Sequence, residues 1–219
     1  MTQTHGHGSA QGEMPIFDEK FWDERYGQAD RIWSGNPNPQ LVAEASDLPA
    51  GRALDVGCGE GADAIWLAER GWQVTGVDIS QVALDRAARH AEAAGVADRV
   101  TWLRADLTDG TSPGSGFDLV SAQYLHLPGE QRVPLFRGLA EAVGPGGTFL
   151  VVGHHPDDLG HKAWSHVPGM FFTGAEVASN LDPAEWTVVT DEARGHPSAD
   201  AEGNPLTVQD VVLTARRLA

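Results

Sequence analysis

Cysteine is nearly absent from this chain: Cys58 stands alone among 219 residues. One thiol cannot close an internal disulfide, so the fold must rest on a hydrophobic core, and the expected compartment is the reducing cytoplasm. Long apolar runs are missing too. No stretch reaches the about 18 residues needed to span a membrane, and the opening MTQTHGHGSAQGEMP lacks the charged-then-apolar layout of a secretory leader. Cations are scarce, with 15 Lys+Arg against 31 Asp+Glu and a formal net charge of −16. Binding to a phosphate backbone or an anionic membrane draws on clustered cations. None cluster here beyond the terminal pair Arg216-Arg217. Nucleic acid and membrane are therefore poor expected partners, and a small molecule is the better one. The sequence carries no sign of oligomeric state. A hydrophobic fraction of 41% and a mean hydropathy of −0.27 fit one globular domain with a full core.

What is present is concentrated in two short runs. Residues 54–61 read LDVGCGEG, and Asp78 ends a second apolar run that begins at Val74. A strand that breaks into closely spaced glycines before a helix is a nucleotide-binding turn. A carboxylate at the tip of the next strand is placed to take two ribose hydroxyls. Gly57, Gly59 and Gly61 follow G-x-G-x-G spacing, whereas the dinucleotide fingerprint is G-x-G-x-x-G. Only Ala62 in the third place would rescue that pattern. Asp55, two residues before Gly57, would repel a pyrophosphate. The same carboxylate attracts the ammonium of a methionine tail. These details favour S-adenosylmethionine, which leaves as S-adenosylhomocysteine, over NAD.

The chain resembles the class I S-adenosylmethionine-dependent methyltransferases over about residues 50–219. Within them it is similar to the small-molecule group that includes the thiopurine and tellurite methyltransferases. The resemblance is carried by LDVGCGEG at 54–61, VTGVDIS at 74–80, RADL at 104–107, FDLVSAQYLHL at 117–127 and VGPGGTFLVV at 143–152. It implies that Asp55, the Gly57–Gly61 turn with Cys58 as a small filler, and Gln123 address the methionine end. Asp78 would accept from the ribose and Ile79 would lie against the adenine. Ala105 and Asp106 fall where similar proteins reach the adenine amino group, and Leu107 can offer a backbone amide. A turn cap is the plainer reading of Asp106. Where methyltransferases acting on DNA or protein amides carry Asn/Asp-Pro-Pro-Tyr, residues 122–125 read Ala-Gln-Tyr-Leu. That departure argues against amino-group methylation of nucleic acid or glutamine.

Apolar periodicity divides the chain into a polar tail (1–15), an aromatic-rich lid segment (16–48) and a cofactor domain (49–219). In the lid segment Asp18 can cap a short helix bearing Phe17, Phe21 and Trp22, and residues 40–47 read as a second helix. Strands are expected at 52–56, 73–77, 99–103, 117–122 and 148–152, with helices at 62–70, 80–94 and 129–143. This alternation means a parallel sheet covered on both faces. Two last strands, at 186–191 and 208–215, flank a turn-rich 194–205 and form an antiparallel hairpin. The expected fold is thus a Rossmann-like, seven-stranded, mostly parallel α/β sheet ending in that hairpin.

Methyl transfer from a sulfonium needs alignment, exclusion of water and, for some acceptors, removal of a proton. Sites in open parallel sheets lie at strand carboxyl ends. His126, His154 and His155 follow the fourth and fifth strands and are the candidate general bases, since imidazole accepts a proton near neutrality. Tyr124, His166 and Met170, with Trp164, Val167, Phe171 and Phe172, would line an acceptor pocket. Tyr26 and Trp33 would complete it from the lid, where an aromatic face suits a sulfonium. No metal is expected, because neither His5 and His7 nor the histidines at 154, 155, 161 and 166 have H-E-x-x-H spacing. Two other readings share the cofactor residues: a non-catalytic S-adenosylmethionine-binding module and an NAD-dependent oxidoreductase.

Overall fold

The computed structural model describes residues 17–125, 127–157, 169–199 and 204–219. The expectations placed on the 1–15 tail, His126, His161, Trp164, His166 and Val167 lie outside the described residues. The elements follow as α1 (Glu19–Gly27), α2 (Pro39–Ala45), β1 (Arg52–Val56), α3 (Ala62–Glu69), β2 (Gln73–Asp78), α4 (Gln81–Ala94) and β3 (Val100–Arg104). Then come β4 (Phe117–Gln123), α5 (Gly129–Ala142), β5 (Val143–His154), α6 (Gly174–Ala178), β6 (Trp186–Ala199) and β7 (Pro205–Arg217).

All seven strands form one sheet in the order β3-β2-β1-β4-β5-β7-β6. Strands β1 to β5 run parallel. Strand β7 pairs antiparallel with both β5 and β6. The chain reverses its direction of strand addition between β1 and β4, which opens a crevice at their carboxyl ends. The expected fold is thus the observed one.

Local signals explain several boundaries. Asp18 caps α1 by accepting from the Phe21 amide, Asn38 caps α2 ahead of Pro39, and Ser80 caps α4. Gly95 ends α4 in the left-handed conformation, which costs glycine little. Other boundaries differ from expectation. Strand β5 starts at Val143, not 148, because Val143 already pairs with Phe117 across a register shift in β4. The final hairpin runs much further than 191 and 208. Backbone pairing continues to Ala199 opposite Pro205, so most of the segment read as turn is strand. Turn-forming residues misled there, because β6 is an edge strand, where Gly and Pro are tolerated. Helix α6, closed by a capping box between Thr173 and Glu176, was not anticipated.

Two apolar layers sandwich the sheet. One gathers Phe136, Leu139, Phe149, Phe172 and Trp186 beneath α5 and α6. The other gathers Leu41, Leu67, Trp72, Leu119, Leu150 and Val212 beneath α2 and α3. Phe149 is fully buried, with ring centroids 6.3 Å from Phe136 and 6.4 Å from Trp186. Phe149→Ala should cost about 3–5 kcal/mol of stability through lost burial and a residual cavity. Urea unfolding would read this as an earlier midpoint, and a loss under ~1 kcal/mol would contradict the packing described.

Candidate active site

The site begins with the turn after β1. The Gly57 and Cys58 amides both donate to the Val77 carbonyl, at 2.8 and 3.0 Å, tying the turn to β2. Gly59 lies at φ +52, and a Cβ there would come within 2.8 Å of the Tyr26 hydroxyl. Gly61 lies at φ +86, and its Cβ would meet Ala87 at 2.9 Å and Trp102 at 2.8 Å. Both positions therefore demand glycine, one for the aromatic cover and one for the seat of α3 against α4. Cys58 is buried in the turn. Burial first, then the charges of Asp55 and Asp78, push its thiol well above the usual range, which keeps it an inert filler.

Four acids surround this turn. Asp78 is buried at the tip of β2 and accepts from the Gly59 amide at 2.8 Å and the Ser80 amide at 2.9 Å. Burial raises its pKa, and those amides only partly offset the effect. Asp55, 2% exposed at the end of β1, accepts from the Ala64 amide in the first turn of α3. Its Oδ2 is buried and meets no donor among the described residues. Desolvation, then the charge of Asp63, pushes its pKa well up. Asp63 accepts from the Asn38 amide at 2.6 Å, yet burial still lifts it to about 6. On the neighbouring strand, Gln123 donates to Ser121 Oγ at 2.6 Å. Its Oε1 is buried and likewise meets no donor among the described residues.

The fourth acid, Glu60, works differently. Its carboxylate accepts from the Ile32 and Trp33 amides, each at 3.2 Å, and pairs with Arg86 at 2.8 Å. Arg86 in turn donates to the Tyr26 carbonyl at 2.6 Å. The segment joining α1 to α2 is thereby clamped over the glycine turn. Trp33 Nε1 donates to Tyr26 Oη at 3.0 Å, closing the cover directly above Gly59. Two further ties fix the ends of the segment. Ser80 donates to Asp23 on α1, and Glu44 on α2 binds Arg194 at 2.7 Å and Thr214 at 2.7 Å.

A second polar group lies past β4 and β5. Tyr124 Oη donates to Asp210 Oδ2 at 2.8 Å, and its ring lies 4.7 Å from that of His154. His154 Nδ1 is 3.4 Å from Asp210 Oδ1. His155 sits beside it but turns away: its Nδ1 accepts from the Asp157 amide at 3.2 Å.

Every expected site residue but His126 and His166, which lie outside the described residues, can therefore be placed. Asp55, Gly57, Cys58, Gly59, Gly61, Asp78 and Gln123 converge on the strand ends at β1, β2 and β4. Ile79 is half-buried just after Asp78, and the Ala105 amide donates to the Asp78 carbonyl at 3.1 Å. Asp106 caps the turn 107–109, its Oδ1 taking both the amide and hydroxyl of Thr108. Leu107 sends its side chain into the core. Tyr26 and Trp33 both lie over Gly59 in the glycine turn. Met170 is buried in a small cluster with Phe171 and Phe17. Among the described residues no group of His, Cys, Asp or Glu is arranged to hold a metal ion. Glu60, Asp63, Arg86, Asn38 and Asp210 were not foreseen. Asp210 did leave a signal, a charged residue inside the apolar strand run 208–213.

The parallel sheet, the glycine turn at its switch point and the acid at the tip of β2 define a class I, Rossmann-like nucleoside-cofactor domain. Comparison narrows this. A family model described as "Methyltransferase domain" matches residues 53–147. An uncharacterized methyltransferase of Mycobacterium tuberculosis is 38% identical over 139 residues, 62% of this chain and 67% of that protein. The chain belongs to the S-adenosylmethionine-dependent methyltransferase family. A release factor glutamine methyltransferase of Rhodopirellula baltica is 38% identical over 122 residues, 51% of this chain and 41% of that protein. The chain thus spans about 41–67% of the length of these curated relatives. A structure solved for the conversion of a disulfide bond into a thioacetal group during echinomycin biosynthesis shares the fold. It matches with a TM-score of 0.73 at 23% identity, over 91% of each chain. No helix among the described residues is long and apolar enough to cross a membrane.

The clamp makes a prediction. Glu60→Gln removes the ion pair with Arg86 and weakens the charge-assisted bonds to the part-buried Ile32 and Trp33 amides, a loss of about 1.5–3 kcal/mol. Exchange of the Ile32 and Trp33 amides should accelerate by roughly tenfold or more while β1 and β4 stay protected. In the wild type, burial raises the Glu60 pKa, but the bonds from Arg86, Trp33 and Ile32 outweigh it, and the net shift is downward. A depressed folded pKa means the clamp is intact above the ordinary carboxylate range and fails only as pH falls below it. Amide protection that declined between pH 7 and 5 would contradict this.

Proposed function

We propose that the protein is a methyltransferase that moves a methyl group from S-adenosylmethionine to a small, neutral acceptor. One observation carries the reading. Two buried oxygens, Asp55 Oδ2 and Gln123 Oε1, stand on adjacent strand ends without donors among the described residues. Buried acceptors of this kind call for a donor-rich partner, and with Asp63 behind Asp55 that partner should be a cation. A methionine ammonium fits; a pyrophosphate does not, which disfavours the NAD reading.

On this reading Asp55 and Gln123 hold the ammonium, and Asp78, fixed by two backbone amides, accepts from the ribose. Tyr26 and Trp33 shield the turn from water, with the Glu60–Arg86 pair holding them down. When bound, the cofactor supplies a sulfonium-activated methyl group, which an acceptor lone pair takes up as the sulfur–carbon bond breaks and the sulfur keeps that bond's electrons. His154 faces the acceptor side, and the ring of Tyr124 forms its wall. On this reading His155 takes no such part: its Nδ1 accepts from the Asp157 amide, so its neutral ring carries the proton on Nε2 and offers no second acceptor nitrogen.

The acids also bear on the acceptor. Arg86 is paired with Glu60, and Arg25 lies 5.6 Å from the Trp33 ring. An oxyanion such as tellurite would be opposed by the buried Asp210 carboxylate on the acceptor side. Thiols, phenols and heteroaromatic nitrogens or hydroxyls are better matched. Residues 122–125 lack Asn-Pro-Pro-Tyr, which sets the acceptor apart from glutamine.

The reading is tested by labelled methyl transfer to a pool of thiols, phenols, heteroaromatic amines, halides, tellurite and selenite. Incorporation into a neutral acceptor is expected. Confirmed cofactor binding with no transfer would favour a binding module instead. A second outcome follows from charge linkage. Burial raises Asp55 and lifts Asp63 to about 6, so the cofactor-free protein retains protons near pH 6. A cation stabilises the ionised carboxylates, so binding should release protons and tighten as pH rises from 5 to 7. Calorimetry at pH 6 in two buffers of different ionisation enthalpy would detect this release. Proton uptake would contradict the assignment of Asp55 and Asp63.

A further inference from the structure

Strand β7 is apolar where it enters the sheet: Val208, Val211, Val212 and Leu213 are all buried. Asp210 sits among them with 0% exposure. A carboxylate at such a position is costly unless it is held and used. It is held. In the antiparallel register Asp210 lies directly opposite His154 on β5, so both side chains emerge on the same face of the sheet. One carboxylate oxygen accepts from Tyr124 Oη at 2.8 Å; the other lies 3.4 Å from His154 Nδ1, within ion-pair distance but without the alignment of a hydrogen bond between the two. The imidazole is enclosed on two sides, by Tyr124 at 4.7 Å and Phe171 at 6.0 Å between ring centroids.

Tyr124 supplies an independent sign. It is the one non-glycine among the described residues with positive φ, at 53°. A bulky aromatic residue in the left-handed region is strained, and such strain gathers where a side chain must be aimed. Here it follows the last residue of β4 and delivers the hydroxyl to Asp210.

We propose that Asp210 is a positioning residue for His154: it draws Nδ1–H toward its carboxylate, leaving Nε2 as the proton acceptor for a methyl acceptor that carries an ionisable O–H or S–H, while Tyr124 fixes the carboxylate from the other side. This rests on the reading that His154 faces the acceptor. Which ring nitrogen carries the proton is set by the partner of the other nitrogen, and pairs of this kind often tighten when substrate binds. The acceptor's proton passes to Nε2 and its heteroatom retains the electron pair that forms the new bond to carbon. His154 then returns the proton to solvent, so no other reactant is needed. Substrates would thus be hydroxyl or thiol compounds that need deprotonation.

The test is nitrogen-15 NMR of histidine-labelled protein saturated with S-adenosylhomocysteine, with His154→Gln identifying the resonances. In the wild type the neutral His154 ring should be the Nδ1–H tautomer. In Asp210→Asn, where an amide NH2 can face the ring, the population should move toward Nε2–H. The wild-type measurement decides the matter even if the variant does not fold. A wild-type Nε2–H tautomer, or no change in a folded Asp210→Asn, would overturn the proposal. With a phenol or thiol that the wild type methylates, Asp210→Asn should lower kcat by roughly 100-fold or more, leaving the KM for S-adenosylmethionine within about twofold. An equal rise in that KM would mark Asp210 as structural and overturn the proposal. If the wild type methylates no acceptor, the proposed function fails while the tautomer still decides the role of Asp210.

Discussion

Negative charge buried without a matching cation among the described residues is the constraint around which this molecule is organised. Asp55, Asp63 and Asp78 crowd the crevice at the ends of β1 and β2. Desolvation raises all three pKa values. The nearby guanidinium, Arg86, is engaged by Glu60. Like charges this close to one another oppose the folded state unless backbone amides or a bound cation compensate. Asp78 is compensated internally, by Gly59 and Ser80. Among the described residues Asp55 has the Ala64 amide for one oxygen and no donor for the other. The family's cofactor, whose methionine end carries an ammonium and a sulfonium, is the natural counterpart of such a crevice.

The same logic explains how the N-terminal segment is held. It covers the turn through polar ties more than through its own core. Glu60 reaches up to two amides, Arg86 reaches across to the Tyr26 carbonyl, and Glu44 joins α2 to the terminal hairpin. A cover held by a few charged hydrogen bonds can open without disturbing the apolar layers beneath the sheet. The terminal hairpin gains a double role on the proposed reading. It completes the sheet, and through Asp210 it brings a carboxylate to the acceptor side.

Much of this was legible in the residues themselves. The β1 strand was placed to the residue, the capped helix after Ser80 ended at Gly95 as expected, and Asp55, Asp78 and the three glycines all fall at the crevice. Those features are local: a strand pattern, a cap, a turn spacing. The missed features are set by tertiary contacts. Glu60 is one more acid in a glycine-rich run until Arg86 and the Ile32–Trp33 amides are brought to it from 26 to 28 residues away in sequence. Asn38 and Asp63 meet across 25 residues, and Tyr124 and Asp210 across 86. Asp106 shows the converse case, where a local turn signal is visible in the structure: its Oδ1 caps the following turn by accepting from Thr108. The hairpin was underestimated because turn-forming residues on an edge strand do not stop pairing.

The most direct test of the charge argument compares S-adenosylhomocysteine with its analogue lacking the α-amino group, titrated calorimetrically into the wild type and Asp55→Asn. The account predicts that the wild type prefers the amino compound by about tenfold or more, ~1.4 kcal/mol, and that Asp55→Asn narrows the preference to within about threefold. If both proteins discriminate equally, or if the wild type binds the two compounds alike, Asp55 does not hold the ammonium and the buried acids need another explanation.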